Sequence, residues 1–168
     1  GQEKGTIQKD EKEMINNVFE FNDRTVSEIM TDRTSMFAVD ENTSIGDVIE
    51  ELSEERGYSR IPIYDETIDE ITGVVYLKDI LLTNKNKNTK IKNLKKVAYL
   101  VPETKKVNEL FKEFQKNKKQ IAIVVDEYGG TAGIVTMEDI LEEIVGDIYD
   151  EYDIPTTKYE KIDENTFL

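Results

Sequence analysis

The chain has 168 residues, with 22 Lys and Arg against 36 Asp and Glu, a formal net charge of −14, and no Cys, His or Trp. Without thiols or imidazoles it can build no disulfide framework, no Cys/His zinc site and no Ser-His or Cys-His hydrolase. The acidic balance argues against nucleic acid and anionic membrane surfaces, which need clustered Lys and Arg, and no apolar run approaches the roughly 18 to 20 residues that span a bilayer. A chain of this length forms one domain or two small ones and buries roughly 70% of its unfolded surface. What remains is an acidic module whose chemistry is limited to carboxylates, hydroxyls and lysines, in a composition compatible with the cytosol.

Residues 1–9 are polar and aperiodic, and 10–21 place Met14, Ile15, Val18 and Phe19 on one stripe of a predicted amphipathic helix. Residues 1–22 therefore read as a lead-in and connector helix. From residue 23 the chain repeats itself. "GVVYLKDILL" at 73–82 matches "GIVTMEDILE" at 133–142 at an offset of 60, and "RIPIYDE" at 60–66 answers "QIAIVVDE" at 120–127. Further upstream, 38–52 pairs with 100–114 so that Ile45, Val48 and Leu52 align with Val107, Leu110 and Phe114. Apolar matches at three stations in one order mark an internal duplication, with repeats over 23–86 and 87–150.

Each copy has one grammar. A short apolar run (36–39; 97–101) precedes a helix start signal and an amphipathic helix (about 43–55; 105–117). Two β-rich runs follow (61–64 and 73–76; 121–125 and 133–136), then a closing helix (77–82; 137–145). The order is β-α-β-β-α, twice. About 60 residues alone make a marginal core, so the two units are expected to pack as a pseudo-twofold α+β pair. Residues 151–168, broken by Pro155, read as a linker and the start of a truncated C-terminal domain.

Thr136 and Asp139 stand where a strand passes into a helix. One reading is a capping box, with the Thr136 hydroxyl on a first-turn amide and Asp139 reaching back to the Thr136 amide. The other uses the same geometry for a ligand: the helix N-terminus and hydroxyl receive a phosphate, and the carboxylate accepts from ribose hydroxyls. The first copy has Tyr76 and Asp79 at the matching places. Tyr76 cannot cap, so the two pseudo-equivalent sites are expected to be unequal. Arg60, in "GYSRIP" at 57–62, is read either as an exposed partner of one of the many acids or as a fork for a polyphosphate. Pro62 within that strand predicts an edge or a terminus. "EYGGTAG" at 127–133 lacks the Gly-Lys-Ser/Thr of a phosphate loop and predicts a hairpin turn. Asp147, Asp150, Glu151 and Asp153 could collect Mg²⁺ but lack the pattern of a calcium loop, and a solvated acidic end is the plainer reading.

This duplication, closing on Gly-h-h-Thr-x-x-Asp, resembles a tandem pair of CBS domains, the Bateman module. "VSEIMTDRTSMFAVDE", "YSRIPIYDE" and above all "DEYGGTAGIVTMEDILEEIVGDI" are similar to the CBS pair of the CorC/HlyC family, hemolysin-like proteins linked to magnesium and cobalt efflux and related to the CNNM transporters. The resemblance covers about residues 23–153. It implies a middle piece of a membrane protein, at the cytoplasmic face of the cell membrane, following a membrane domain and preceding a small C-terminal domain. It also implies a regulatory module, not an enzyme, that binds an adenine nucleotide (AMP, ADP or ATP), with Mg²⁺ held through the phosphates, and pairs into a homodimer. Carried over by motif, Thr136 would contact phosphate and Asp139 ribose. Met30, Thr31, Tyr58, Ser59, Arg60, Ile61 and Pro62 would frame the base and reach the phosphates, and a weaker second site would involve Asp79 and Gln120. Asp32 departs from the proline that commonly follows Met-Thr in relatives. The rival readings are a dimerisation module that binds no ligand, and direct Mg²⁺ sensing by the acidic end. A nucleotide hydrolase lacks a visible base or phosphate loop.

Overall fold

The structure is a computed structural model that describes residues 23–54 and 58–151, with side chains as far as Gly146. In chain order its elements are α1 (Val26–Ile29), β1 (Thr31–Asp32), β2 (Val39–Asp40), α2 (Ile45–Glu54), β3 (Arg60–Asp65), β4 (Thr67–Tyr76) and α3 (Leu77–Leu82). A 3₁₀ turn (Ile91–Leu94) leads to β5 (Leu100–Pro102), α4 (Val107–Asn117), β6 (Ile121–Val125), β7 (Thr131–Thr136) and α5 (Met137–Glu151). The connector helix expected over 10–21 and the segment from 152 onward lie outside the described residues.

The duplication is written into the sheets. In one, β2 runs parallel to β3, which pairs antiparallel with β4; in the other, β5 runs parallel to β6, which pairs antiparallel with β7. Each parallel pair is spanned by a helix (α2 or α4) whose apolar stripe faces its own sheet. Ile45 and Val48 are buried with Ile61, Ile63 and Val75 in one core; Val107, Leu110 and Phe114 are buried with Ala122, Val124 and Val135 in the other. Burying each such side chain is worth about 1.5–3 kcal/mol. Local signals start and stop these elements. The Ser44 hydroxyl accepts from the Asp47 amide at the head of α2, and the β6–β7 turn is tied by the Asp126 carboxylate, which accepts from the amides of Tyr128 and Gly130. Gly129 in that turn has φ +84°, a conformation that favours glycine.

Each repeat is completed by the segment that leads into the other. Ahead of the first repeat, the chain docks on the second: the Val26 amide donates to Lys105 O and the Val107 amide to Arg24 O, and β1 pairs antiparallel with β7, Thr31 opposite Ile134. Ahead of the second repeat, the Ile91 amide donates to Thr43 O, the Ile45 amide to Thr89 O, and Lys96 exchanges two backbone bonds with Val74. The closest approaches fall at equivalent glycines. A Cβ on Gly133 would lie 2.2 Å from Thr31 O, and one on Gly73 2.8 Å from Lys96 O.

Two expectations are corrected. The apolar runs at 36–39 and 97–101 are strands only at Val39–Asp40 and Leu100–Pro102. Pro62 does not mark an edge, because β3 is the central strand of its sheet. The proline is tolerated for a local reason. Its partner Val74 turns its own amide and carbonyl to Lys96, so Pro62 N faces away from β4, and β2 begins one residue further on, at Val39 opposite Ile63.

Candidate functional site

Thr31, Tyr58, Ser59, Arg60, Thr136 and Asp139 line one cavity of about 260 Å³ at the junction of the two repeats. They arrive from three stretches of the chain. Thr31 is on β1, Tyr58 and Ser59 precede β3, Arg60 opens it, and Thr136 and Asp139 sit at the passage from β7 into α5. Ile121 and Ile134 supply apolar wall. The Tyr58 ring is stacked on Phe37 with centroids 5.0 Å apart, which fixes it at the rim.

Both halves of the capping box at Thr136 are present. The Thr136 amide donates to Asp139 Oδ2 (2.9 Å) and the Asp139 amide donates to Thr136 Oγ1 (3.2 Å). The same two side chains line the cavity, so helix capping and ligand contact are compatible uses of one pair. Arg60 is held across the junction. Its guanidinium donates to both carboxylate oxygens of Glu138 and to the side-chain carbonyl of Gln120, and its side chain is only 14% exposed. Burial pushes the Glu138 carboxyl up, but the Arg60 hydrogen bonds and charge together with its backbone partner outweigh this and hold it below the usual carboxylate range.

The remaining sequence-predicted residues are placed elsewhere. The Ile61 side chain is fully buried in the first-repeat core, Pro62 is buried in β3, and Met30 packs against the second core with its sulfur beside Gly133. Asp79 and Gln120 do not share a cavity. Gln120 lines a cleft of about 470 Å³ with Ser59, Arg60, Tyr76, Lys78 and Lys118, whereas Asp79 lines another with Asn93 and Lys95 and pairs with Lys96 at 3.5 Å. Glu138 is the site residue that sequence reasoning missed. It lies between the two residues of the Thr-x-x-Asp motif, and its facing partner is 78 positions away. Among the described residues no cluster of three or more Asp and Glu could hold a metal ion, and no helix is long and apolar enough to cross a membrane. The side chains of the acidic stretch from Asp147 to Asp153 lie outside the described ones.

The CBS-domain family model matches residues 26–84 and 91–146, one match per repeat. The chain belongs to the CBS-domain family. This CBS pair is 39% identical over 149 residues to the magnesium and cobalt efflux protein CorC of Vibrio cholerae, covering 88% of this chain and 51% of that protein. It is 41% identical over 158 residues to hemolysin C of Brachyspira hyodysenteriae, covering 94% and 58%. Among solved structures, the CBS domain of a bacterial CNNM/CorC family Mg²⁺ transporter in complex with ATP matches with 42% identity and a TM-score of 0.73, covering 82% of this chain and 98% of that one. The CBS pair thus spans between about a quarter and three-fifths of the length of the curated relatives it matches.

Proposed function

We propose that this CBS pair is a regulatory module that binds an adenine nucleotide in the Thr31–Asp139 cavity and thereby controls a membrane transporter of magnesium or cobalt. The observation that carries this reading is the convergence of Thr31, Tyr58, Ser59, Arg60, Thr136 and Asp139, drawn from both repeats, on one cavity. The roles follow from chemistry. Thr136 at the head of α5 offers a hydroxyl and the positive end of a 15-residue helix to a phosphate. The Asp139 carboxylate, one turn in, suits a pair of ribose hydroxyls, and Arg60 suits phosphate oxygens. The Tyr58 ring and the Ile121 and Ile134 walls suit a purine. The ATP complex of a relative at 42% identity supports the ligand class, and the CorC relatives support the ion.

Because the ligand touches both repeats, it binds one arrangement of them better than another, and only that difference can regulate. At a formal net charge of −14, ATP should bind better with Mg²⁺ held through its phosphates. The partners in this reading are a second copy of the chain and a membrane domain of the same full-length protein at the cytoplasmic face, with no nucleic acid and no catalysis. Calorimetric titration with AMP, ADP and ATP, with and without Mg²⁺, tests it. Micromolar binding abolished by Asp139→Ala in a folded variant is expected; no heat with any nucleotide would sink the reading.

A second reading has its own support. Thr136 and Asp139 satisfy each other, Arg60 is already paired, and the closing helices expose Leu81 and its equivalent Leu141 together with Val145 (72%, 44% and 46%). A dimerisation module linking membrane and C-terminal domains needs no more than that. It predicts a dimer in solution that no nucleotide perturbs.

A further inference from the structure

The formal charge of −14 is unevenly spread along the chain. Residues 83–119 hold twelve lysines against three glutamates, a local charge of +9, so the rest of the chain carries −23. Within that stretch no Asp or Glu occurs before Glu103. Lys85, Lys87, Lys90 and Lys92 are all exposed, and among the described residues none has a carboxylate within ion-pair distance. The neighbouring Lys95 and Lys96, in contrast, pair with Glu41 and Asp79.

The backbone under these four lysines is fixed. The carbonyls of Lys87 and Thr89 accept from the Gly46 and Ile45 amides at the head of α2, and the Ile91 amide donates to Thr43 O. The Ile91 side chain is fully buried in the first-repeat core. The Thr83 hydroxyl accepts from the Lys85 amide, and the Asn86 side-chain carbonyl accepts from the Asn88 amide. A segment held in this way has little backbone freedom left to lose on binding. Two leucines stand directly before it, Leu81 at 72% exposed and Leu82 at 81%, and Val97 follows it at 87%. Leu82 shares a concavity of about 420 Å³ with Asn93, Leu94, Lys95 and Lys96, so apolar and cationic side chains meet on one face.

We propose that the face formed by Lys85, Lys87, Lys90 and Lys92 with Leu82 docks on an anionic phospholipid surface, the lysines among the headgroups and the leucine at the acyl boundary. Charge complementarity names the occupant. A protein partner is usually matched by charges of both signs, whereas four lysines within eight residues, with no acid between them, set no register and suit a fluid layer of negative headgroups. The same layer repels the −23 on the remainder, so the whole-chain charge that argues against membranes here orients the module. The inference goes beyond the nucleotide reading and holds whether or not the cavity is filled.

The test is cosedimentation of the chain, without nucleotide, with vesicles of phosphatidylcholine alone or with about one-third phosphatidylglycerol. Wild type should bind the anionic vesicles at about 0.05 M salt, weaken by about tenfold or more at about 0.5 M, and ignore the neutral ones. Each lysine near an anionic surface is worth about fivefold in partition, so Lys85→Gln with Lys87→Gln should lose about 25-fold. Lys112→Gln with Lys116→Gln removes the same charge from exposed positions on α4 and should lose about twofold or less. Leu82→Ser should lose about fivefold and leave the salt dependence unchanged. The loop is held by backbone bonds, so all three variants should keep the wild-type melting temperature, which a thermal scan checks. Equal loss in the two lysine pairs would mean that net charge alone binds, and would overturn the proposal. So would equal binding to neutral vesicles, or no binding to anionic ones at either salt. A polyuridine RNA bound in place of vesicles, or self-association abolished by the Lys85 and Lys87 changes without vesicle binding, would assign the face to nucleic acid or to a second copy and overturn it likewise.

Discussion

Arg60 and Glu138 face each other across the junction of the repeats, Nη1 lying 3.1 Å from Oε2 and Nη2 3.1 Å from Oε1. This two-pronged geometry is the one a guanidinium offers to a phosphate. Glu138 therefore occupies the fork in the way a ligand's oxyanion would, and an incoming phosphate must displace it. Glu138→Gln removes the competing charge and should tighten ATP binding about two- to fivefold, the range of an ion pair whose carboxylate stays open to solvent. Titration of the variant checks this; unchanged or weaker binding would show that the phosphate does not meet Arg60.

Capping and ligand contact at Thr136 can be separated by one methylene. Glutamate is the usual last residue of a capping box, so Asp139→Glu should preserve the helix start and leave the melting temperature within a degree or two. The same change moves the carboxylate away from a ribose and should weaken nucleotide binding by tenfold or more. Asp139→Ala, in contrast, should cost about 1 kcal/mol of stability as well as binding. A thermal scan beside each titration distinguishes the two.

The two close-approach glycines should differ in cost. At Gly133 an added methyl meets backbone oxygen at 2.2 Å, so Gly133→Ala must push β1 off β7 and should destabilise by about 3 kcal/mol; at Gly73 the approach is 2.8 Å and the cost should be nearer 1 kcal/mol. Urea unfolding of the two variants measures the difference. Equal costs would mean that β1 is held more loosely than its register with β7 suggests.

Tyr99 donates to Glu113 at 2.5 Å, and Lys105 donates to the other carboxylate oxygen at 2.5 Å. The hydrogen bond to Glu113, then burial and the Glu113 charge, push the Tyr99 hydroxyl up to about 12. Lys105 first, then Tyr99, hold Glu113 below the usual carboxylate range. A raised tyrosine stabilises fully below its unfolded value near 10 and loses this as pH rises through 12; a lowered carboxylate stabilises above about 4.5 and loses this as pH falls. Tyr99→Phe should therefore cost about 1 kcal/mol between roughly pH 5 and 10 and less on either side. Denaturation at pH 3, 7 and 11 would reveal the plateau, and a cost independent of pH would exclude the hydrogen bond as its source.

What the amino-acid order announces here is local. The stripes Ile45/Val48 and Val107/Leu110/Phe114 and the Gly129 turn are read from neighbours in sequence, and each appears where its pattern puts it. The two-residue strand Thr31–Asp32 has no period to read, and its partner lies about 100 residues away on β7. Pro62 misleads because its tolerance depends on where β2 begins and on Val74 turning to Lys96, both matters of tertiary register. The site shows the same division. Thr136 and Asp139 carry a visible motif, while the pairing of Arg60 with Glu138 and the separation of Asp79 from Gln120 are decided by the packing of one repeat on the other.

The crossing of the lead segments gives the chain the topology of a handshake. A cut between residues 86 and 87 would leave an N-terminal piece carrying the Arg24–Asp32 segment that completes the other piece's sheet, and a C-terminal piece carrying the Thr89–Lys96 segment that the first lacks. Neither piece can bury its own backbone edge, so each alone should be poorly folded, and mixing them should rebuild the pair. In the intact chain the repeats are then bound to melt in one step, and a hand that lets go on one side loosens the grip on the other.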